Sequence, residues 1–281
     1  MNGNPLDRAN LVGIGRTAEI YAWGDGRVLR LFGEGASEQY AMREMNAFRI
    51  ANEAQLPCPA VYPGNTPDGL VRIEGRLGFV MDRVEGPSML QILTKQPWRL
   101  VSFARAMAAF HLGLHRQHVT DLPSQRQRFE AIAAWIGNVL GSSIGDRVRA
   151  ALDRLPDDDA LCHGDFHPDN ILLGDCGATI IDWGPATTGA AAADVAWTAY
   201  LFKHAGYPPG MNRWQRLMLA AFRRLFYAVY KRAYARRAPF PWSEVEAWAP
   251  VIAAMRFRDQ IPEEKSFLEQ YLKQTFGCGE N

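Results

Sequence analysis

His163-Gly164-Asp165-Phe166-His167-Pro168-Asp169-Asn170 is the stretch that decides the fold, and it leads into Asp182-Trp183-Gly184. Between the two segments, short runs rich in β-branched residues at 171–173 and 178–181 flank a turn at 174–177. Such runs around a glycine-containing turn predict a small hairpin with a loop at each end. The pattern is therefore an Asp, four further residues, an Asn, a hairpin and a second Asp.

These residue types suit phosphoryl transfer from ATP. The reaction needs an acceptor hydroxyl held in line and Mg²⁺ to neutralise charge on the β- and γ-phosphates. An Asp that accepts the hydroxyl proton, together with an Asn and an Asp as hard oxygen ligands, meets those needs. The alternative is that Asp, Asn, Gly and Pro are only the capping and turn residues of a polar loop.

Residues 163–186, HGDFHPDNILLGDCGATIIDWGPA, resemble the aminoglycoside phosphotransferase and choline kinase family. That family has a loop of the form H-G-D-x-x-x-x-N and a later I-D-W or I-D-F. The resemblance implies a protein-kinase-like fold with a helical C-terminal lobe. It also implies transfer of the γ-phosphoryl group of ATP to a hydroxyl of an aminoglycoside-, choline- or sugar-like small molecule.

Site residues follow from the resemblance by position. Asp165 looks like the family's catalytic base, and Asn170 and Asp182 look like its Mg²⁺ ligands. His163 is interpreted as bracing the loop. Asp194 looks like the Asp that props the catalytic loop, although a helix N-cap explains its position equally well.

The N-terminal part offers a candidate phosphate-binding loop between two predicted strands. Gly13, Gly15 and Thr17 stand where backbone amides and a small hydroxyl would contact phosphate oxygens. Ala18 replaces the third glycine of the protein-kinase pattern. A plain hairpin turn is the alternative explanation for the two glycines.

Arg30 is the main departure from the family pattern. The stretch Val28-Leu29-Arg30-Leu31 has Arg where the family has Lys, and Glu44 in the following helix is its expected partner. Arg keeps the charge and can bridge phosphate oxygens with a bulkier fork. The pair is predicted to position the α- and β-phosphates, with a surface salt bridge as the alternative. The substitution also leaves open a non-catalytic, nucleotide-binding pseudokinase.

The predicted fold class is α+β, a two-lobed kinase-like fold. A small antiparallel sheet with one helix is expected in residues 1–85, and a larger, mostly helical catalytic and substrate-binding lobe in residues 86–281. Gly86-Pro87 breaks the pattern between them. Met81 and Arg83, at the end of the last N-terminal strand, are predicted to bring backbone groups to the adenine edge, unless they simply end that strand.

Helices are expected over 37–54, 89–95, 98–118, 126–140 and 146–155, and the chain from Asp194 onward is expected to be helical. Strands are expected over 27–32, 70–73 and 77–84. The apolar residues Ala41, Met45 and Phe48 recur at helical spacing in the first helix, with Ser37 as its cap.

Composition excludes some classes of partner. The net charge of +1 gives no electrostatic basis for binding nucleic acid or an anionic membrane. The four cysteines form no C-x-x-C pair, and the N-terminal residues lack the apolar core of a signal peptide. A cytoplasmic monomer or weak homodimer is therefore expected.

Other candidate sites are explained more simply. His163 and His167 have the H-x-x-x-H spacing of a zinc pair, but Gly164 and Pro168 disfavour the helix that such a pair needs. The remaining helical histidines are interpreted as packing or surface residues: His111, His115 and His118.

The C-terminal part bears on the acceptor. Its helices are rich in Arg, whereas a polycationic aminoglycoside needs carboxylates, so an antibiotic acceptor is disfavoured. The segment 213–237 is basic and aromatic, and is interpreted as a helix with an aromatic inner face rather than a membrane-binding helix. Four aromatic residues suit either a choline-like cation–π site or the core: Trp197, Tyr200, Trp242 and Trp248.

Overall fold

The computed structural model describes residues 6–15, 17–24, 26–175, 177–208 and 210–277, called the described residues. Some predictions touch positions outside these ranges. They are Arg16 in the candidate phosphate-binding loop, Cys176 in the predicted turn at 174–177, and Cys278.

The first part of the chain forms an antiparallel sheet in the order β1-β2-β3-β6-β4, with β5 paired to β6. Its central strand β3 buries Val28, Leu29, Leu31 and Phe32, so it is covered on both faces. Arg30 is the one charged side chain within this buried stretch, opposite residues of β2 and β6. The strands are β1 (Leu11–Ile14), β2 (Ala18–Ala22), β3 (Arg27–Phe32), β4 (Val61–Tyr62), β5 (Val71–Ile73) and β6 (Arg76–Asp82).

One long helix, α1 (Glu38–Glu53), packs on this sheet. Ser37 caps it as predicted, because its hydroxyl accepts a hydrogen bond of 3.2 Å from the Tyr40 amide. The buried face carries Ala41, Phe48 and Ala51 at helical spacing, and the Phe48 ring lies 5.6 Å from the Phe79 ring of β6. The same face buries Glu44, which is thereby directed at the sheet.

The predicted hairpin is present as β8 (Ile171–Gly174) and β9 (Gly177–Ile180). It is fastened to the N-terminal part by backbone hydrogen bonds from the Leu173 amide to the Pro87 carbonyl and from the Ile180 amide to the Pro57 carbonyl. The hairpin therefore belongs structurally with the sheet, although the 88 residues 83–170 lie between it and β6, the last strand of that sheet along the chain.

Helices dominate the rest of the chain, as expected. A second small sheet, which the sequence did not predict, pairs β7 (Ala160–Cys162) with β10 (Thr187–Gly189), on either side of residues 163–186. The helices are α2 (Met89–Lys95), α3 (Leu100–His115), α4 (Gln125–Leu140), α5 (Ser142–Leu152), α6 (Ala191–His204), α7 (Arg213–Ala235), α8 (Trp242–Arg258) and α9 (Pro262–Phe276).

Several helix boundaries differ from the prediction: α3 and α5 end at His115 and Leu152, three residues before the predicted ends, and two helix starts also differ. The third helix starts at Leu100 after a short 3₁₀ turn, Pro97–Arg99, rather than at Trp98. The fifth starts at Ser142 rather than Asp146, because Gly141, with φ of 110°, ends α4 and directly precedes α5. A single glycine at positive φ thus replaces the longer break that the sequence suggested.

The chain divides into two compact units, residues 1–92 with 168–186 and residues 93–167 with 187–281. The first, called the sheet unit, contains the antiparallel sheet, α1 and the β8–β9 hairpin; the second, called the helical unit, contains α3 to α9 and the β7–β10 pair. The expected fold class, an antiparallel sheet with one helix and a larger helical part, is confirmed. The boundary near residue 86 stays a prediction. None of the helices in the described ranges has the length and apolar character needed to cross a bilayer.

Candidate active site

Arg30 joins two carboxylates in the sheet unit. Its Nε atom lies 2.5 Å from Oε1 of Glu44, and its NH2 nitrogen lies 3.6 Å from Oδ1 of Asp182. The predicted Arg30–Glu44 pair is therefore formed, and it is no surface salt bridge, since the Glu44 side chain is 1% exposed and that of Arg30 is 13% exposed. The contact to Asp182 was not predicted.

The Glu44 carboxyl group is buried between one positive and one negative side chain. Burial raises the pKa of its carboxyl group, and the nearby Asp182 raises it further, while Arg30 counteracts both. The Arg30 Nε–H is not directed along the short N–O contact, so neither carboxylate oxygen of Glu44 has an aligned hydrogen-bond partner among the described residues. The charge of Arg30 is consequently the main favourable interaction of this buried carboxylate.

Asn170 and Asp182 come together through the hairpin register. The Ile181 amide donates a 3.0 Å hydrogen bond to the Asn170 carbonyl, which extends the β8–β9 ladder by one step. Asp182 follows directly and leaves the ladder with φ of 64°, a left-handed conformation that Asp tolerates better than most residues. Trp183, fully buried next to it, fixes the end of the hairpin by donating to the Ile180 carbonyl.

The candidate phosphate-binding loop lies between β1 and β2. The Gly15 amide donates to the Ala18 carbonyl at 2.8 Å, and a Cβ at Gly15 would lie 3.2 Å from that oxygen, so the turn itself favours glycine there. A Cβ at Gly13 would meet nothing within 4 Å. Thr17 is exposed, and its carbonyl accepts from the Gly33 amide. Gly13 is thus not required by packing within the chain and leaves room for a close ligand.

Residues 81–83, which were predicted to bring backbone groups to the adenine edge, already use part of their backbone within the sheet. Met81 pairs with Val28 and Val61. The amides of Asp82 and Arg83 donate to the carbonyls of Ala60 and Gly26, both at 2.9 Å. An adenine ring bound at this edge would therefore have to contact backbone groups other than these two amides.

In the helical unit, Asp194 holds the first residues of the loop that begins at His163. Its two carboxylate oxygens accept hydrogen bonds of 2.8 Å from the amides of His163 and Gly164. Gly164 has φ of 79°, which suits glycine and turns both amides toward the same side chain. The N-cap alternative for Asp194 is wrong, because α6 is preceded by Ala190 as its cap and Asp194 lies in its first turn.

Asp165 follows these two residues and points its carboxylate at hydrogen-bond donors. The Trp197 indole N–H donates to Oδ1 at 3.3 Å, and the His167 Nε2 atom lies 3.5 Å from Oδ2. Burial by itself would raise the pKa of Asp165, but His167, His163 and Trp197 together outweigh it, so the pKa is lowered. Asp165 is therefore an ionised carboxylate at neutral pH, as a proton acceptor must be.

A buried network beneath the loop was not anticipated. His111 and His115, one turn apart on α3, direct their Nε2 atoms at Oδ2 of Asp194 at 3.0 and 3.2 Å. Their Nδ1 atoms contact the hydroxyls of Tyr230 and Tyr234 at 2.7 and 2.6 Å. The i, i+4 spacing of both pairs is visible in the sequence, but nothing there indicates that the two pairs meet.

The network fixes the charge of its members. Burial lowers the pKa of His111 to about 3, with the neighbouring His115 adding to the effect, so His111 is neutral at pH 7. Burial would raise the pKa of Asp194, but hydrogen bonds from His111 and His115 hold it well below its usual range. Asp194 is therefore ionised, and its charge is compensated by two backbone amides and two imidazoles. The ligand atoms of His111, His115 and Asp194 lie within 4.8 Å of one another.

The model of the phosphotransferase enzyme family, APH, matches residues 10–248. The chain belongs to the phosphotransferase enzyme family. The suspected family and the predicted phosphotransferase class are thereby confirmed. No curated protein matches the sequence.

Solved structures share the fold of this phosphotransferase family member at low sequence identity. One is a thermostable mutant of aminoglycoside phosphotransferase APH(4)-Ia in ternary complex with AMP-PNP and hygromycin B, at TM-score 0.62 and 16% identity over 96% of this chain and 94% of that chain. Amicoumacin kinase hAmiN in complex with AMP-PNP, Ca²⁺ and Ami aligns at TM-score 0.60 and 12% identity, over 96% and 89%. The streptomycin-ATP-APH(2")-IIa ternary complex aligns at TM-score 0.61 and 15% identity, over 94% and 90%. These likenesses show the fold.

The helical histidines and the four aromatic residues, each of which had two possible interpretations, lie in clearly different environments in the structure. His118 is exposed and pairs with Asp159, whereas His111 and His115 are buried. Trp248 belongs to the core, and Tyr200 is buried and donates to Glu264 at 3.1 Å. The rings of Trp197 and Trp242 already face cations of the chain, Arg256 and Lys231 respectively. These four aromatic residues therefore do not form one open cation–π site.

The basic, aromatic helix α7 has two different halves. Phe226, Tyr230 and Tyr234 form the aromatic inner face that was predicted. The first half instead exposes large apolar side chains, including Trp214 and Met218, each 72% exposed.

Proposed function

We propose that this family member is an ATP-dependent kinase that transfers a phosphoryl group to a hydroxyl of a small molecule. The observation that carries the proposal is the environment of Asp165. His167 and Trp197 favour its ionised form, and Asp194 fixes the two backbone amides that precede it in the loop. A carboxylate held rigidly in this state suits an acceptor hydroxyl, which must be oriented and relieved of its proton.

Asp165 acts as the base in this mechanism. The acceptor oxygen forms a bond to the γ-phosphorus as the bond from that phosphorus to the β,γ-bridging oxygen breaks. ADP leaves with the electron pair, and the hydroxyl proton passes to the Asp165 carboxylate and then to solvent. His163 supports the geometry, since its Nδ1 accepts from the Asp165 amide at 3.3 Å.

Arg30, paired with Glu44, is proposed to bind the α- and β-phosphates of ATP. Its guanidinium is partly exposed and keeps donors beyond the one that contacts Glu44. Gly13, Gly15 and Thr17 are proposed to cover the phosphates, supported by the open space at Gly13. Met81 and Arg83 are proposed to line the adenine edge.

Asn170 and Asp182 are proposed to hold Mg²⁺. The hairpin register supports this, because it brings an amide and a carboxylate, both hard oxygen donors, to the same end of β8–β9. When bound, the metal would neutralise charge on the phosphates. The Arg30 contact to Asp182 links this position to the proposed phosphate site.

The acceptor class rests on what related structures bind. The neighbours named above were solved with hygromycin B, streptomycin or Ami and with ATP or AMP-PNP, and one of them with Ca²⁺. These ligands support a nucleotide, a divalent cation and a small-molecule hydroxyl acceptor for this chain. A non-catalytic pseudokinase is the alternative that Arg30 raises, and phosphorylation of any acceptor would exclude it.

A thermal-stability titration tests the nucleotide and metal sites. ATP and GTP are titrated with and without Mg²⁺ against the wild type, Asp182→Ala and the control Asp146→Ala, an exposed position on α5. Ligand at about 100 times Kd should stabilise the wild type by about 2.7 kcal/mol. We expect a Mg²⁺-dependent shift that Asp182→Ala removes and Asp146→Ala retains. Absence of any shift with either nucleotide would contradict the proposal.

A further inference from the structure

The first half of α7 carries a row of exposed apolar side chains, called the α7 stripe. Trp214 and Met218 are each 72% exposed, and Leu217 and Leu225 are 59% and 55% exposed. Since each helical residue turns the chain by about 100°, these four side chains fall within about 100° of one another around the helix axis. The buried residues of α7 lie on the opposite side: Phe226, Tyr230 and Tyr234. Single exposed apolar side chains are common, but a continuous group of large ones indicates a binding surface.

The helix that carries the stripe is basic and contains no acidic residue. Residues 195–243 include nine Lys or Arg and no Asp or Glu. Helix α3 packs along α7, and residues 93–120 around it add four Lys or Arg and again no acid. The distribution of charge, rather than the net charge of +1, therefore supplies an electrostatic basis for binding an anionic surface.

Cations beside the stripe have no carboxylate partner. Arg213, Arg224 and Arg232 are exposed, and none of them forms a salt bridge with another described residue. By helical spacing, Arg213 and Arg224 flank the stripe on one side, and Arg232 continues it along the helix. Two acids of α9, Glu263 and Glu264, line a groove with Arg224, but neither forms a salt bridge with it. These guanidinium groups are therefore available to phosphate oxygens.

An apolar stripe flanked by free cations fits the boundary between water and an anionic lipid bilayer. Trp, Leu and Met side chains bind at the level of the headgroups and the first acyl carbons. Arg side chains beside them reach the lipid phosphates, and each cation near an anionic leaflet strengthens binding. Because α7 lacks the apolar character needed to cross a bilayer, it would lie along the membrane surface.

Two other partners fit this surface less well. A second copy of the chain that met it through the same face would bring arginines together, with no acid on α7 to pair with them. Nucleic acid would neutralise the arginines, but the aliphatic side chains of Leu217, Met218 and Leu225 offer no ring on which bases could stack. An anionic membrane satisfies both the charge and the apolar stripe.

We propose that the first half of α7 docks on an anionic membrane surface. The α7 stripe enters the boundary between headgroups and acyl chains, while Arg213 and Arg224 contact lipid phosphates. None of these residues is among those proposed for phosphoryl transfer. The docking surface is therefore independent of the proposed kinase activity.

Vesicle binding tests the proposal with the full chain. Co-sedimentation is measured with vesicles of phosphatidylcholine alone and of an equal mixture with phosphatidylglycerol, at low and high NaCl concentration. Sedimentation velocity without lipid reports the oligomeric state, and fluorescence anisotropy with a poly-dT oligonucleotide reports nucleic-acid binding. Thermal unfolding checks that each variant is folded.

Two double variants alter the surface, and two single variants of exposed residues on α4 and α5 are the controls: Trp214→Gln with Met218→Gln, Arg213→Gln with Arg224→Gln, Val139→Gln, and Arg149→Gln. Glutamine is a good helix former, so α7 should persist in both double variants. We expect the wild type to bind the anionic vesicles in a salt-sensitive way and to ignore the neutral ones. The arginine variant should bind about thirtyfold more weakly, about fivefold for each cation, and the apolar variant at least about tenfold more weakly. Both controls should match the wild type.

Several results would overturn the proposal. They include failure to bind anionic vesicles at low salt, equal binding to neutral vesicles, and binding that neither double variant weakens. A dimer that the apolar variant dissociates would assign the stripe to a second copy of the chain instead. Binding of poly-dT that is tighter than vesicle binding, and is lost in the arginine variant, would assign the surface to nucleic acid.

Discussion

Arg30 Nε lies 2.5 Å from Oε1 of the buried Glu44, so the arginine takes the pairing position that the family pattern gives to lysine. The fork of Arg30 also reaches Asp182, with 3.6 Å between NH2 and Oδ1. A lysine has a single terminal nitrogen and cannot hold both carboxylates in the same way. Arg30 therefore bridges Glu44 and Asp182, which a lysine at this position could not do in the same way.

Arg30→Lys is expected to lower kcat/KM for ATP by about tenfold, close to 1.4 kcal/mol of transition-state stabilisation. The physical reason is loss of the second contact, to Asp182, while the charge next to Glu44 is retained. Arg30→Met should cost more, because Glu44 then remains buried without a counter-charge. Steady-state kinetics with varied ATP measures both. Higher activity in Arg30→Lys would indicate a degraded kinase instead.

His167→Gln is expected to shift the acid limb of the pH–kcat/KM profile to higher pH. His167 is the largest of the groups that lower the pKa of Asp165, so its removal raises that pKa, and the base is protonated at a higher pH. Trp197→Phe removes the 3.3 Å hydrogen bond and should act in the same direction. An unchanged acid limb in both variants would contradict the assignment of that limb to Asp165.

His111→Gln is expected to flatten the dependence of stability on pH. The folded protein keeps His111 neutral down to about pH 3, whereas in the unfolded chain it binds a proton near pH 6.5, so the unfolded state holds more protons between these values. Its contribution to the free energy of unfolding therefore falls as pH falls through this window. The glutamine variant should lose up to about 1.4 kcal/mol per pH unit of that slope.

Urea unfolding between pH 4.5 and 7.5 measures the effect. His118→Gln is the control with the opposite sign, because Asp159 raises the pKa of His118 and its contribution is present at low pH and lost as pH rises. Equal slopes for wild type and His111→Gln would show that His111 is not held neutral.

Gly86→Ala is expected to destabilise the sheet unit by about 2–4 kcal/mol. Gly86 has φ of 125°, and a Cβ there would lie 2.4 Å from the backbone carbonyl oxygen of Leu173, which cannot move without disturbing the hairpin. Gly35→Ala is the matched control, since φ is 79° and no atom lies within 4 Å of the added Cβ. It should cost only about 1 kcal/mol. Equal losses in urea unfolding would mean that the Leu173 contact is unimportant.

The sequence by itself determined the features that depend on neighbours along the chain. The loop His163–Asn170, the β8–β9 hairpin and the Ser37 cap follow from short-range patterns, because turns, caps and periodic apolar residues are set by local backbone chemistry. The family pattern also indicated the Arg30–Glu44 pair, which joins a strand to the next helix.

Only the tertiary structure decided which distant faces meet. His111 and Tyr230 are 119 residues apart and join around Asp194, and the β7–β10 pair closes across 163–186. Phe129 of α4 and Trp248 of α8 likewise pack ring against ring, with 5.8 Å between the ring centroids. A sequence pattern shows that a helix has an inner face, but the partner of that face is selected by packing of the whole core, which no local signal encodes.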